Sequence, residues 1–266
     1  MKIGITGARG YVGRHLLQYE NVVPIQGDIK DYNGMLTEIQ SVQPDIVIHL
    51  AAKTDVEYCE ANGKECGDVN FWGTFSVANA CHTAKRKMVI LSTFQVFDGK
   101  RWLGDTYDEK DTPNPLNVYG LSKLAAESIR KPFDNIKIIR AGYLYDKERL
   151  QDRIDVLQNK QVEYPSYMLR SFMHVDHFCD SLTKNYIPNF EEMPEILHIG
   201  TSDTLSWFDF MGNVSKTLGL RPPLKQTKEN KNGEFVPRPY KGGLDSRLSY
   251  KLGFHAYSSQ DGLSLL

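Results

Sequence analysis

The first seventeen residues, MKIGITGARGYVGRHLL, constrain the fold more than any other stretch of the chain. A short apolar run at residues 3–6 passes through Gly7, Gly10 and Gly13 and continues into Val12, Leu16 and Leu17 at helical spacing. That pattern predicts a strand, a loop and a helix, in that order. The glycines supply a tight turn out of the strand, room for a ligand to approach backbone N–H groups, and close packing of helix on sheet. A phosphate-bearing ligand would then sit at the positive end of the helix. The spacing is G-x-x-G-x-x-G, so the loop alone does not decide what is bound.

Downstream, the alternation continues. Residues 21–25 form a second short apolar run ending at Gly27 and Asp28, and residues 31–42 carry Met35, Leu36, Ile39 and Val42 at helical spacing behind Asp31 as a cap. Pro44 ends that helix, and DIVIHL at 45–50 is apolar enough for a parallel strand buried on both faces. A helix over 67–84, a strand over 87–92, a helix over 118–130 and a strand over 136–140 extend the series. The order predicts an α/β fold, a Rossmann-like doubly wound parallel sheet with a small C-terminal substrate-binding lobe. Residues 1–145 are expected to form the nucleotide-binding domain. Residues 146–266 are expected to form mainly the substrate-binding lobe, with some elements returning to the core; residues 195–199 read as one more strand and 207–218 as one more helix. The Pro-, Lys-, Asn- and Gly-rich stretch 222–243 reads as a loop or lid.

Bulk composition narrows the function. With 266 residues and a formal net charge of -1, the chain offers no basic field for nucleic acid and no polybasic membrane patch. It has no apolar run of the length needed to span a bilayer, and Met1 leads straight into the first strand, so a cytoplasmic protein is expected. Cys59, Cys66, Cys81 and Cys179 lack C-x-x-C pairing and His partners at metal-ligand spacing, and they read as reduced thiols with no metal site.

Two sites carry chemistry. Tyr119 and Lys123, in YGLSK, project from one face of a helix. Thr93 follows the fourth strand, and in a parallel sheet ligands lie beyond the carboxyl ends of the strands. A hydroxyl that orients a carbonyl, a phenol that donates a proton and a lysine that favours phenolate together reduce a ketone. An ammonium ~4 Å from the phenol contributes roughly 4 kcal/mol at an effective dielectric near 20, enough to draw a tyrosine pKa from ~10 toward ~7.

With these residues in place, the chain resembles the extended short-chain dehydrogenase/reductases, and within them the dTDP-4-dehydrorhamnose reductase branch. The matching segments are GARGYVG (7–13), PDIVIHLAAKTDVEYCE (44–60), VNFWGT (69–74), LSTFQVFDG (91–99) and DTPNPLNVYGLSKLAAE (111–127), with a weaker echo over 236–254. The resemblance implies Thr93, Tyr119 and Lys123 as the catalytic set. It implies cofactor contacts from Gly7, Arg9, Gly10, Tyr11, Val12 and Gly13, from Asp28 and Ile29 near the adenine, and from Ala51, Ala52, Lys53 and Leu91, together with Tyr119 and Lys123. Substrate contacts are implied for Thr93, Phe94, Gln95, Tyr143 and Arg238.

The implied reaction is NAD(P)H-dependent reduction of a nucleotide-linked 4-keto-6-deoxy sugar, as in dTDP-rhamnose biosynthesis, by a homodimer. Two departures from the family pattern bear on this. Phe94-Gln95 replaces the usual acidic-aromatic pair after the Thr, which leaves the sugar open. The second strand ends without an acidic residue for a ribose 2′-hydroxyl, and Arg9 offers a cation for a 2′-phosphate, which favours NADP(H) over NAD(H). A UDP- or GDP-sugar epimerase or reductase of the same superfamily, or a non-catalytic nucleotide-binding regulatory subunit, remain as alternatives.

Several features also have plain structural readings. His174 and Asp176 read as hydrogen-bonded wall residues, Trp72, Phe71 and Phe75 as packing residues at the core or a dimer face, and 85–87 as a solvated basic turn.

Overall fold

Four apolar runs form adjacent parallel strands: β1 (Ile3–Thr6), β2 (Val22–Pro24), β3 (Ile46–His49) and β4 (Lys87–Thr93). The computed structural model describes residues 1–100, 106–159, 162–220, 224–227 and 236–266. With β5 (Ile136–Ala141) and β6 (Ile196–Ile199) they build a six-stranded sheet of order β6-β5-β4-β3-β1-β2. β1 and β3 are buried along their whole length, as strands covered on both faces must be. The order reverses direction between β1 and β3, so the crevice at their carboxyl ends, at Thr6 and His49, is the topological switch point where such sheets bind ligands.

Helices α1 (Tyr11–Leu16), α2 (Tyr32–Val42), α3 (Val56–Ala61), α4 (Gly63–Gly67), α5 (Thr74–Thr83) and α6 (Val118–Ser128) connect these strands. Met35, Ile39, Val77, Cys81, Ile90 and Ile138 are among the residues of one buried cluster on this sheet. Three local expectations change. Asp31 occupies the N-cap of α2 but makes no side-chain capping bond. The helix expected at 67–84 begins earlier, at α4, and runs into α5 through a π turn at Asp68–Gly73. Helix α6 ends at Ser128, two residues short of the expected end.

The chain divides into two compact units. The first comprises Met1–Val96, Pro113–Arg140 and Asn189–Leu197, and the second Phe97–Thr112, Ala141–Pro188 and His198–Leu266. Residues 97–112 thus belong with the later chain rather than with the stretch 1–145. The reason is pairing: Thr106–Tyr107 lies in parallel register with Gly243 and Leu244. Within the second unit a four-stranded sheet takes the order Leu205–Ser206, Leu169–Arg170, Lys241–Leu244, Thr106–Tyr107. Its helix Trp207–Thr217 starts at Ser206, whose hydroxyl accepts from the Asp209 N–H at 3.0 Å. Tyr145, Leu150, Phe172, Phe210 and Val214 are among the residues of its core.

The stretch 222–243 is not wholly irregular, since Leu224–Thr227 pairs in parallel with Val162–Pro165 and Lys241–Leu244 is a strand. Residues 222–223 and 228–235 of the expected lid lie outside the described residues. Among the described residues, no helix is long and apolar enough to cross a membrane.

Candidate active site

The loop after β1 turns at Gly7, whose φ of 69° is a left-handed conformation that only glycine adopts without strain. It closes with the Gly10 N–H on the Gly7 carbonyl at 2.9 Å. A Cβ on Gly7 would lie 2.7 Å from the Ala51 backbone nitrogen, and one on Gly13 would lie 2.5 Å from the Gly7 oxygen. The loop is therefore pressed against the segment after β3 and against its own helix. Gly10 and Arg9 remain exposed, Tyr11 and Val12 are half-buried, and a Cβ on Gly10 would meet only the Gly7 oxygen within 4 Å, so the loop presents an open backbone cradle at Gly10. That cradle suits a dinucleotide pyrophosphate.

A directed chain of hydrogen bonds fixes the strand ends around this crevice. Thr74 Oγ1 donates to the Asn70 carbonyl at 2.6 Å, which uses its only proton. Donor counting then makes His49 Nε2 the donor to Thr74 Oγ1 at 3.0 Å, and leaves His49 Nδ1 to accept from Thr6 Oγ1 at 2.8 Å. His49 is fully buried, and burial first and the Lys123 charge second hold its pKa down at about 3. It is a neutral strut between β1, β3 and α5.

Asn70, within the π turn, was not singled out by the sequence reading. Its side chain accepts from the Lys53 N–H at 2.7 Å and donates to the Lys53 carbonyl at 2.9 Å and to Ser122 Oγ at 2.9 Å. Ser122 in turn donates to the Tyr119 carbonyl at 2.7 Å. One buried amide therefore ties the segment after β3 to the helix carrying Tyr119. The π turn itself is the available signal, since such insertions cluster at functional sites, but it has no sequence signature in a single chain.

Helix α6 buries an unusual face: Tyr119, Ser122, Lys123 and Glu127 lie on it with Gly120 and Ala126. Its N-cap, Asn117, accepts from the Gly120 N–H at 2.8 Å and donates to Gln95 Oε1 at 3.1 Å. Gln95 also donates its N–H to Thr93 Oγ1 at 3.2 Å. Ser92, on the other side of Thr93, donates to Glu127 at 2.5 Å. Bonds from residues 92 and 95 thus fasten the end of β4 to both ends of the α6 face, which sets Thr93 against the helix bearing Tyr119 and Lys123. Burial lowers the Lys123 pKa to about 8, with Glu127 and then Cys66 acting in the opposite sense. The ammonium is therefore the main form at pH 7.

The remaining expected positions are distributed as follows. Asp28 accepts from the Lys30 N–H at 2.9 Å, which makes it a turn residue. Ile29 packs on the π turn, where a Cβ added to Gly73 would lie 2.6 Å from its Cδ1. Ala51, Ala52 and Leu91 are half-buried. The Lys53 ammonium pairs with Glu65 at 2.9 Å and lies 4.9 Å from the Tyr58 ring centre. Phe94 is buried in a single 3-10 turn with Gln95 and Val96.

Tyr143 and Arg238 belong to the second unit. There both act electrostatically on Arg170, a buried arginine that the sequence reading passed over. Burial, and then the Arg238 charge, lower the Arg170 pKa to about 9, against the smaller opposing effect of Tyr143. Tyr143 also meets Trp207 edge-on at 4.9 Å between ring centres and carries the Arg149 guanidinium 5.3 Å from its own. His174 caps the helix Val175–Asp180, its Nδ1 accepting from the Asp176 N–H at 3.3 Å, in keeping with a structural part. All four cysteines are buried free thiols.

The family model for the RmlD substrate binding domain matches residues 1–264. The chain belongs to this RmlD family. Its fold is that of solved family members: dTDP-4-dehydrorhamnose reductase from Bacillus anthracis, in complex with NADP, superposes with a TM-score of 0.90 at 25% identity, covering 99% of this chain and 98% of that one. The spore coat polysaccharide biosynthesis protein SpsK of Bacillus subtilis is 26% identical over 261 residues, 95% of this chain and 92% of its own. The dTDP-4-dehydrorhamnose reductase of Burkholderia thailandensis is 36% identical over 134 residues, 48% of this chain and 44% of its own. Within this RmlD-family chain, the crevice at the ends of β1 and β3 and the polar face of α6 are the candidate active site.

Proposed function

We propose that this RmlD-family protein is an NAD(P)H-dependent reductase that reduces the keto group of a dTDP-linked 4-keto-6-deoxy sugar. The observation that carries the reading is the face of α6, where Tyr119 and a buried Lys123 lie one turn apart and the helix is fastened at both ends to the strand that ends in Thr93. Nothing in packing alone calls for a lysine there, because burying an ammonium opposes folding.

In this reading the residues after β1 and β3, from Gly7 to Gly13 and from Ala51 to Lys53, together with Leu91, Asp28 and Ile29, would hold the dinucleotide. A reduced nicotinamide, when bound there, would supply the hydride. Thr93 orients the substrate carbonyl by donating to its oxygen. Tyr119 passes its phenolic proton to that oxygen as the carbon is reduced, and the Lys123 ammonium lowers the cost of the phenolate left behind. Phe94, Gln95, Tyr143 and Arg238 are the proposed substrate contacts. Arg9, exposed at the loop, favours NADP(H) over NAD(H) through a 2′-phosphate. Trp72 and Leu121, each 58% exposed on the helices of the first unit, suit a second copy of the chain, so we read the enzyme as a cytoplasmic homodimer.

The test is oxidation of NADH and NADPH with dTDP-4-keto-6-deoxy sugar generated in place, for wild type and Tyr119→Phe. Loss of a proton donor lowers kcat about 10²–10⁴-fold. Cofactor binding that persists with turnover lost is the expected result. Equal turnover in the two proteins refutes the assignment of Tyr119. A wild type that binds cofactor but oxidises it with no dTDP-, UDP- or GDP-linked keto sugar favours the regulatory-subunit alternative.

A further inference from the structure

One turn beyond Lys123, α6 carries Glu127, and the carboxylate is held on all sides by its own unit. Arg140 of β5 donates from Nε to Oε1 at 2.9 Å and from Nη2 to Oε2 at 2.7 Å, and Ser92 of β4 donates to Oε1. The Arg140 and Glu127 side chains are 2% and 5% exposed. A buried ion pair of this kind usually adds little stability over an apolar pair of the same volume, so its presence needs another reason. The reason is at hand in the adjacent lysine. Lys123 and Glu127 are i and i+4 on one buried face, the spacing at which opposite charges on a helix meet.

We propose that Glu127 is a positioning residue of the reduction: fixed by Arg140 and Ser92, its carboxylate is the counter-charge that keeps the buried Lys123 ammonium charged for Tyr119. The inference rests on the reading of Tyr119 and Lys123 given above. Arg140 and Ser92 occupy the carboxylate oxygens, so Glu127 acts on the ammonium through its charge rather than by drawing Lys123 into a direct pair.

The other charged or titratable groups on the surrounding elements do not replace Glu127. His49 on β3 is neutral, its pKa held down first by burial and then by the Lys123 charge. Cys66 on α4 acts on Lys123 in the same sense as Glu127, but with smaller effect. Cys59 on α3 is pushed up to about 12, chiefly by burial, and so stays a neutral thiol. Glu60, also on α3, accepts from the Val118 N–H at the start of α6, at 3.0 Å. Glu127 is thus the principal opposing charge.

The experiment follows Lys123 directly, by the pH titration of its 13Cε resonance in lysine-labelled protein, assigned by its loss in Lys123→Arg, alongside the pH profile of kcat. Glu127→Gln leaves Arg140 buried without its partner and risks the fold, so the decisive protein is the double variant Glu127→Gln/Arg140→Met, with folding checked by thermal denaturation. The Lys123 midpoint is expected to fall by about one pH unit between Arg140→Met and the double variant, two proteins that share the loss of the Arg140 charge, and the alkaline limb of kcat to fall with it.

An unmoved midpoint in a folded double variant overturns the proposal. A midpoint that falls while the activity limb stays in place also overturns it, because the carboxylate then acts on a lysine outside the proton transfer. Failure of the underlying reading looks different: Tyr119→Phe turns over like wild type, whatever the lysine titration shows.

Discussion

Acid should unfold this protein through His49, and the size of the effect can be worked out. The imidazole is fully buried, and its pKa falls from 6.5 to about 3 because burial, and then the Lys123 charge, oppose protonation. In the unfolded chain the same ring titrates near 6.5. Between those values the unfolded state binds a proton that the folded state does not, so stability rises with pH across that window and is lost as pH falls from 6.5 toward 3. From pH 7 to pH 4 the loss is about 3 kcal/mol, at about 1.36 kcal/mol per unit. The Lys123 window lies between about 8 and 10.5 and does not overlap it. The assay is urea denaturation at pH 7, 6, 5 and 4 for wild type and His49→Gln.

At pH 7 the variant should be weaker by about 1–3 kcal/mol, since the amide carries a donor and an acceptor but does not place them at the two ring-nitrogen positions that meet Thr74 and Thr6. It should then lose less on acidification, so the two stability curves converge between about pH 6 and pH 4. Groups that titrate alike in both proteins cancel in the difference. Parallel curves from pH 7 to pH 4 would refute the reasoning, and would mean that the ring is protonated without cost where it lies.

Gly13→Ala places a methyl 2.5 Å from the Gly7 oxygen and 2.8 Å from the Ala8 Cα, both backbone; a cost of about 1–3 kcal/mol is expected, read as a lowered Tm together with weaker NADPH binding. Asn70→Ala strips partners from the Lys53 N–H and carbonyl and from Ser122. About 1–3 kcal/mol for each buried group left unsatisfied should show in denaturant midpoints, with kcat falling further than stability predicts because Tyr119 loses its tie to the segment after β3. Arg9→Ser should raise KM for NADPH about tenfold, the loss of one exposed charge-assisted contact, and leave KM for NADH unchanged; equal changes for both cofactors would count against a 2′-phosphate contact.

What the sequence determined by itself was the local frame and the identity of the reactive groups. The apolar runs at 3–6, 45–50 and 87–92 announced strands because both faces of a parallel strand are covered, and the glycine loop, Thr93 and Y-x-x-x-K are short-range patterns written in adjacent residues. Tertiary structure decided everything that depends on partners far apart in the chain. Asn70 holds Lys53 and Ser122, 17 and 52 residues away, and Arg140 holds Glu127 from a neighbouring strand. The same holds for Arg170, buried near Tyr143 and Arg238, and for residues 97–112, drawn into the second unit by pairing with Gly243 and Leu244. The physical reason is that hydrophobic period and backbone propensity are local, whereas a buried polar side chain is tolerated only where folding delivers its partner. A sequence displays the first property directly; the second exists only once the chain has closed on itself.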